Sequence, residues 1–430
     1  MLITATSRTT EGNVYILEND DDLMIGVGVV LRSTWTDPVS RTGADAVISW
    51  TGTHKITVHG TIYGADEAIN LVGCVTPQKV GIGKTGQLFG GGDGVVEDAD
   101  GVILDGVGSI LTNAGTITAY GSALSLIVVD GGTTMISNSG TLYGRVCGVW
   151  HKWGLGTLTF TNNGTVQSPG YAFLGGDSAD NVINHGSMIG TVALGNGNDF
   201  YDGQFGTVTG QILGGDGDDT FRPGHGAETI NGGNGTDLLD FRYGFGVGIA
   251  LDGSFANTCD AAGDVYAGIE TIYGSRIGAD HLRGDAGANT LMGFGGHDTL
   301  DGAGGNDTLT GGAGVDTLTG GLGDDVFVFV LPTDGGDVIT DFSSNAAGNN
   351  DSIRVDAAGF GGGLVAGVLA AGQFQSRADN LAQDADDRFI FRTTDKTLWF
   401  DADGNGAGAA ILLADLQDGA TMTAADILIV

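Results

Sequence analysis

An all-β chain wound as a parallel solenoid is the fold class predicted by three observations. A nine-residue unit repeats six times without a gap from Ser275 to Val328: SRIGADHLR, GDAGANTLM, GFGGHDTLD, GAGGNDTLT, GGAGVDTLT and GGLGDDVFV. Upstream, the phrase apolar-x-Asn-x-Gly-Thr-apolar recurs as LTNAGTI around Gly115, ISNSGTL around Gly140 and FTNNGTV around Gly164. A near copy, VINHGSM, surrounds Gly186, and the spacings are 25, 24 and 22 residues. These windows are rich in Thr, Val and Ile, broken by Gly and Asn, and none has helical spacing. Fixed periods of this size mark solenoids.

The elements follow in chain order. Residues 1–44 are expected to cap the solenoid, because its ends must be covered. Residues 45–190 are read as rungs of three short strands and three turns, with HGTI at Gly60 an earlier partial copy. Asn at one fixed phase suits an internal side-chain ladder or a left-handed turn. An antiparallel sandwich is the competing architecture, and recurrence of one turn phrase favours the solenoid. GIGKTG (81–86) resembles a phosphate loop, but its first Gly would fall at Gln78, so an inter-rung turn is expected. The nonapeptide-repeat region is expected over 191–330, with a strand-forming spacer at 241–274, and a C-terminal region closing the stack over 331–430.

In the nonapeptides, position 4 is always Gly. Position 6 is Asp280, Asn289, Asp298, Asp307, Asp316 and Asp325, and position 8 is apolar: Leu282, Leu291, Leu300, Leu309, Leu318 and Phe327. Each unit thus reads as turn, acid, short strand. Stacking brings acid next to acid every second unit, with Asp280, Asp298 and Asp316 on one edge and Asn289, Asp307 and Asp325 on the other. Like charges at strand spacing repel unless a cation lies between them. Oxygen-only ligands on glycine turns specify a hard cation, and Ca²⁺ tolerates irregular geometry. A solvated acidic linker would not repeat an apolar eighth residue.

The units resemble the repeat G-G-x-G-x-D-x-U-x of RTX proteins, the hemolysin-type calcium-binding family of type I secreted bacterial proteins. LGNGNDFYD (194–202), GGDGDDTFR (214–222), PGHGAETIN (223–231) and GGNGTDLLD (232–240) form a second array, with Asp199, Asp219, Glu228 and Asp237 at position 6. The resemblance implies parallel β-rolls around several Ca²⁺ ions, with turn carbonyls completing the coordination. Gly295, Gly304, Gly312 and Gly321 are carried over as backbone ligands. Asn289 and Glu228 depart from the motif and imply weaker sites. GDVITDF (336–342) and NDSIRV (350–355) resemble the segment capping such rolls, so Asp337, Asp341 and Asp351 are assigned one more ion. A family member is exported from a Gram-negative cell by a type I exporter reading an uncleaved C-terminal signal, which TAADILIV resembles.

Composition narrows the function. Fifty-two acids against 17 bases give a net charge of −35, which argues against nucleic acid and anionic membrane surfaces. No apolar run approaches transmembrane length, and the first residues lack a signal-peptide pattern. Cys74, Cys147 and Cys259 have no metal-type spacing and are expected to be small buried hydrophobes. HExxH and G-x-S-x-G are absent, as is the Asp-Pro-His-Asp signature of alginate epimerases, since Asp37-Pro38 continues as Val39-Ser40. Asp401, Asp403, Asn405 and Gly406 imitate an EF-hand start, but Leu412 holds the bidentate position, so a hairpin turn is expected. Tyr143, Arg145, Trp150, His151, Lys152 and Trp153 form an aromatic and basic cluster that either packs over the solenoid or meets a sugar or partner. The expected protein is an extracellular calcium-binding RTX protein with a structural or adhesive role at the cell surface. It would meet a second copy of itself or a surface polysaccharide. The alternative is a polysaccharide lyase or C5-epimerase type of enzyme, which a carboxylate cluster with Lys or Arg on one β-helix face would favour.

Overall fold

Inward apolar and outward polar residues alternate along nearly every strand of the computed structural model. It describes residues 1–18, 20–34, 45–74, 76–91, 99–128, 132–345 and 349–430. Asp37 and Pro38 lie outside the described residues. The chain divides into Met1–Asp237 with Asp264–Gly268, and Leu238–Gly263 with Ile269–Val430.

Up to Asn181–Asn184 the first unit is a three-sided parallel β-helix. In one face Lys79–Ile82 pairs with Ile110–Asn113, which pairs with Thr133–Asn138, then Thr157–Asn162, then Asn181–Asn184, all parallel. Stacked inward positions put Val80, Leu111, Ile136, Phe160 and Val182 in one file, and all are buried. Each such side chain contributes about 1.5–3 kcal/mol. The recurring Asn-x-Gly phrase has a double role. Asn138 Oδ1 accepts the Gly140 N–H (3.2 Å), closing a turn, while its Nδ2 donates to Asn162 Oδ1 (2.8 Å) in the next rung. Asn113 donates to Asn138 (2.8 Å) and Asn162 to Asn184 (2.9 Å), and all four are buried. The expected side-chain ladder is therefore present. Glycine is required beside it because a Cβ at Gly140 would collide with the Gly115 carbonyl oxygen. GIGKTG ends the strand Lys79–Ile82 and turns over 83–86 into Gln87–Gly90, closed by Gly86 N–H to Gly83 O (2.8 Å).

The first residues are a rung rather than a separate cap. Leu2–Thr4 pairs with Asp22–Ile25, and Arg8–Glu11 with Val30–Thr34. Arg8 and Tyr15 stand in register with the buried Leu31 and Val47, and the Arg8 guanidinium lies over the Tyr15 ring at 5.9 Å. Amphipathic side chains at inward positions cover the open core end, which meets the need that suggested a cap.

The second unit repeats every 18 residues along its nonapeptides, two per coil. Thr290–Gly296 pairs with Thr308–Gly314, and Thr299–Asp301 with Thr317–Thr319. Leu291, Leu309 and Phe327 fill one side of the core, and Leu282, Leu300 and Leu318 the other. The spacer continues the stack: Gly248–Ala250 pairs with His281–Arg283, and Thr271–Tyr273 with Thr290–Gly296. At the far end the pattern turns antiparallel. Thr397–Phe400 forms a hairpin with Ile411–Leu416, and Leu412 lies in its strand opposite Trp399, which excludes an EF-hand loop. Ile427–Ile429 of the terminal TAADILIV adds to Ser352–Val355, with Ile427 and Ile429 buried. Cys74 and Cys147 are buried as expected, but Cys259 is exposed, because it opens a one-turn 3-10 helix with φ 59°.

Replacing Asn138 by Ala leaves Asn113 and Asn162 each short of a buried partner. A loss of about 2–4 kcal/mol is expected in urea unfolding, and it should be the same with and without calcium.

Candidate metal centre

Local sequence places each acid at the end of a glycine turn, immediately before a strand whose second residue enters the core. That anchoring buries the acid too. Asp298, Asp307, Asp316 and Asp325 are 0–1% exposed.

Their hydrogen bonding is systematic. The Asp280 N–H donates to Asp298 Oδ1 (2.8 Å), Asp298 N–H to Asp316 Oδ1 (2.7 Å), and Asp316 N–H to Asp337 Oδ1 (2.9 Å). On the other edge Asn289 N–H donates to Asp307 Oδ1 (2.7 Å), Asp307 N–H to Asp325 Oδ1 (2.8 Å), and Asp325 N–H to Asp351 Oδ1 (3.1 Å). The first unit repeats the scheme from Asp180 through Asp199 (2.6 Å) and Asp219 (2.8 Å) to Asp237 (2.8 Å). One carboxylate oxygen thus ties each coil to the one before it.

The second oxygen is the informative one. Oδ2 of Asp199, Asp219, Asp298, Asp307, Asp316 and Asp325 is buried without a hydrogen-bond partner. Desolvating an ionised carboxylate without compensation costs several kcal/mol, and neighbours about 4.8 Å apart along the stack add repulsion. The turn carbonyls converge on the same place. A Cβ at Gly302 would collide with Asp307 Oδ2 and lie 2.5 Å from the Gly320 carbonyl oxygen. A Cβ at Gly293 would likewise meet Asp298 Oδ2 and lie 2.8 Å from the Gly311 oxygen. Orphaned carboxylate oxygens facing backbone carbonyls, without a nitrogen or sulfur donor, fit Ca²⁺.

The remaining expected residues differ from this pattern. Asp280 is satisfied by Val247 N–H (2.7 Å) and by Ser275 N–H (2.7 Å), because Ser holds position 1 of its unit. Asn289 accepts from Asp285 N–H (2.9 Å) and donates to Ile269 O (3.3 Å), a complete neutral set. Glu228, one methylene longer, folds onto its own turn and accepts the Gly224 N–H (2.9 Å). Asp341 accepts from both Gly320 N–H (2.9 Å) and Gly321 N–H (2.8 Å), sealing the last turn. Asp351 also accepts Ser343 N–H (2.8 Å). Gly295 and Gly304 hold the third position of their units and Gly312 and Gly321 the second, so these four do not share one phase.

Two residues escaped the sequence reading. Asp180 belongs to GGDSADNVI (175–183), a nonapeptide with Ser in place of the fourth Gly. Asp264 accepts the Glu228 N–H (2.8 Å), taking the position-6 role inside the spacer, where no nonapeptide announces it. Position 5 builds a second, exposed ladder: Asp218 N–H donates to Asn198 (2.9 Å) and Asp324 N–H to Asn306 (3.0 Å).

Burial, opposed only in part by the backbone donors, raises the row carboxyls. Asp199 and Asp337 are pushed up to about 8, Asp219, Asp298 and Asp307 to about 7, and Asp280 and Asp351 to about 6.

Among its described side chains the aromatic and basic cluster does not converge. It lies on the strand Cys147–Trp153, and the Trp153 side chain is outside the description. Lys152 Nζ sits 4.7 Å from the Trp150 ring centre and 2.9 Å from Asp100 Oδ2. His151 points inward, and Arg145 lies over Tyr120 at 5.3 Å. Elsewhere on the β-helix one carboxylate oxygen each from Asp45, Asp66 and Glu67 lie within 4.8 Å of one another. Burial, then the Asp45 carboxyl, pushes Glu67 up to about 11, and Asp100 adds to the effect.

The model of the RTX calcium-binding nonapeptide repeat matches in four copies, at residues 211–239, 266–294, 276–309 and 292–327. No curated protein matches. Among solved structures, the solution structure of the AlgE6R3 subunit from the Azotobacter vinelandii mannuronan C5-epimerase is 32% identical. That match covers 35% of this chain and 78% of that chain, with a TM-score of 0.24.

Two expectations follow. Asp307→Ala should abolish a calcium equivalent in titration calorimetry, whereas Asn289→Ala should leave the binding isotherm nearly unchanged; equal losses would remove the distinction between orphaned and satisfied positions. A folded-state carboxyl raised above its ordinary value stabilises below that value, 3.8, and loses its contribution as pH rises through about 7 to 8. In chelator, circular dichroism of the rolls should therefore weaken between pH 5 and pH 8, and calcium should restore it at pH 8.

Proposed function

We propose, for a chain that belongs to the RTX family of calcium-binding nonapeptide-repeat proteins, a secreted structural or adhesive role at the cell surface. The observation that carries this reading is the set of buried, unpartnered Oδ2 atoms in both units. A stack that holds them at neutral pH needs a cation, and calcium at millimolar concentration is an extracellular condition. Cation binding then becomes folding energy. In this reading residues 191–330 are the calcium-dependent part, 331–430 the cap and export address for a type I exporter, and 1–190 the presented surface. No helix among the described residues is long and apolar enough to cross a membrane.

The β-helix supports a surface role through a regular outward file. Thr61, Gln87, Thr116, Thr141, Thr165, Ser187 and Thr207 stand in register on successive rungs. A flat file of hydroxyl and amide groups repeating at about 4.8 Å suits a second copy of the chain or a polysaccharide laid along the axis.

Self-association is the test. Sedimentation velocity should show concentration-dependent assembly in millimolar calcium and expanded monomers in chelator, because calcium removes much of the −35 charge. A strict monomer in calcium argues against assembly. One observation supports the enzymatic alternative: the carboxylates of Asp45, Asp66 and Glu67 lie close together, and Asp100, which acts on Glu67, is paired with Lys152. Release of unsaturated products, or epimerised residues seen by NMR, from a uronic-acid polymer would establish it.

A further inference from the structure

We propose that the calcium row of the first unit ends at a protein-supplied substitute for the ion: His151 takes, beside Asp180, the place a cation takes beside Asp199 and Asp219. This rests on the calcium reading of the row.

Asp180 is in phase with the row in every backbone respect. Its N–H donates to Asp199 Oδ1 (2.6 Å), and its own Oδ1 accepts the Leu158 N–H (3.2 Å) from the preceding rung. The two acids that follow keep a buried oxygen with no partner, but Asp180 does not. His151 Nδ1 lies 3.0 Å from each of its carboxylate oxygens. Both side chains are 0% exposed, so no solvent shares this contact. His151 stands opposite the buried Leu126, an inward position otherwise apolar, and Asp180 is the partner of its Nδ1 there, while its Nε2 is buried without one. The rungs before Asp180 are held by the neutral Asn113–Asn184 ladder, which needs no ion. The consequence is a boundary. Rungs up to Asn181–Asn184 fold without calcium and present a finished edge, and the rungs from Phe200–Asp202 onward are added to that edge as calcium binds.

Hydrogen exchange of the full chain, in chelator and in calcium, tests this. In chelator the peptides of 157–186 should stay protected while those of 194–240 exchange freely. Protection of both would overturn the calcium reading itself; loss of both would overturn only the boundary. In His151→Ala, protection over 157–186 should fall roughly tenfold or more in chelator and return with calcium, and equilibrium dialysis should count one additional bound ion. Unchanged protection and stoichiometry would sink the proposal. Should His151→Ala fail to fold, adding Asp180→Asn decides: recovery in chelator supports a charge relieved by His151, and no recovery means that the imidazole only fills space.

Discussion

The structure depends on one divided carboxylate. At each position-6 aspartate of the rows, one oxygen accepts the backbone N–H of the preceding coil, and at six of them the other is buried with nothing to accept. The first oxygen is the coil-to-coil clamp. The second makes the clamp conditional, because an ionised group without water or partner is among the costliest things a fold can bury. Apolar files beneath hold the acids in place, so they cannot turn outward to solvent without pulling Leu300, Leu309 or Leu318 from the core. Hydrophobic packing and electrostatic strain are thus imposed by the same two-residue spacing.

Protons and calcium answer the same demand. Raised carboxyl values around 7 and 8 mean that the cation-free coil takes up protons well above the ordinary carboxylate range. Calcium does so without discharging the ligands and also engages turn carbonyls. The upstream rungs solve their polar problem differently. Asn amides are both donor and acceptor, so a ladder of them closes on itself. The β-helix and the rolls share strand geometry and differ in what fills one buried polar position.

Much of this was legible in residue order. The nonapeptide period announces two units per coil, and the 18-residue registers bear it out. The Asn-x-Gly phrase announces a ladder at one phase, and its amides meet there. These signals are local: a turn, an acid and an inward residue lie within four positions, and stacking only repeats them. The first rung was less legible, because Arg8 and Tyr15 do not look like core residues until the core end beneath them is seen.

What only tertiary structure decided is which acids lack a partner. Asp280 and Asp298 share a motif, but Ser275 satisfies one and a glycine leaves the other bare. Asp180 and Asp199 share a row, but a histidine 29 residues away answers the first. Glu228 differs from its neighbours by one methylene, enough to fold its carboxylate onto its own turn. In each case the deciding group comes from another turn, coil or face, at a distance no period encodes. The sequence by itself determined the repeat, the phase of the acids and their chemistry. The fold decided where that chemistry is left unsatisfied, because a carboxylate's need for a cation depends on every donor packed around it.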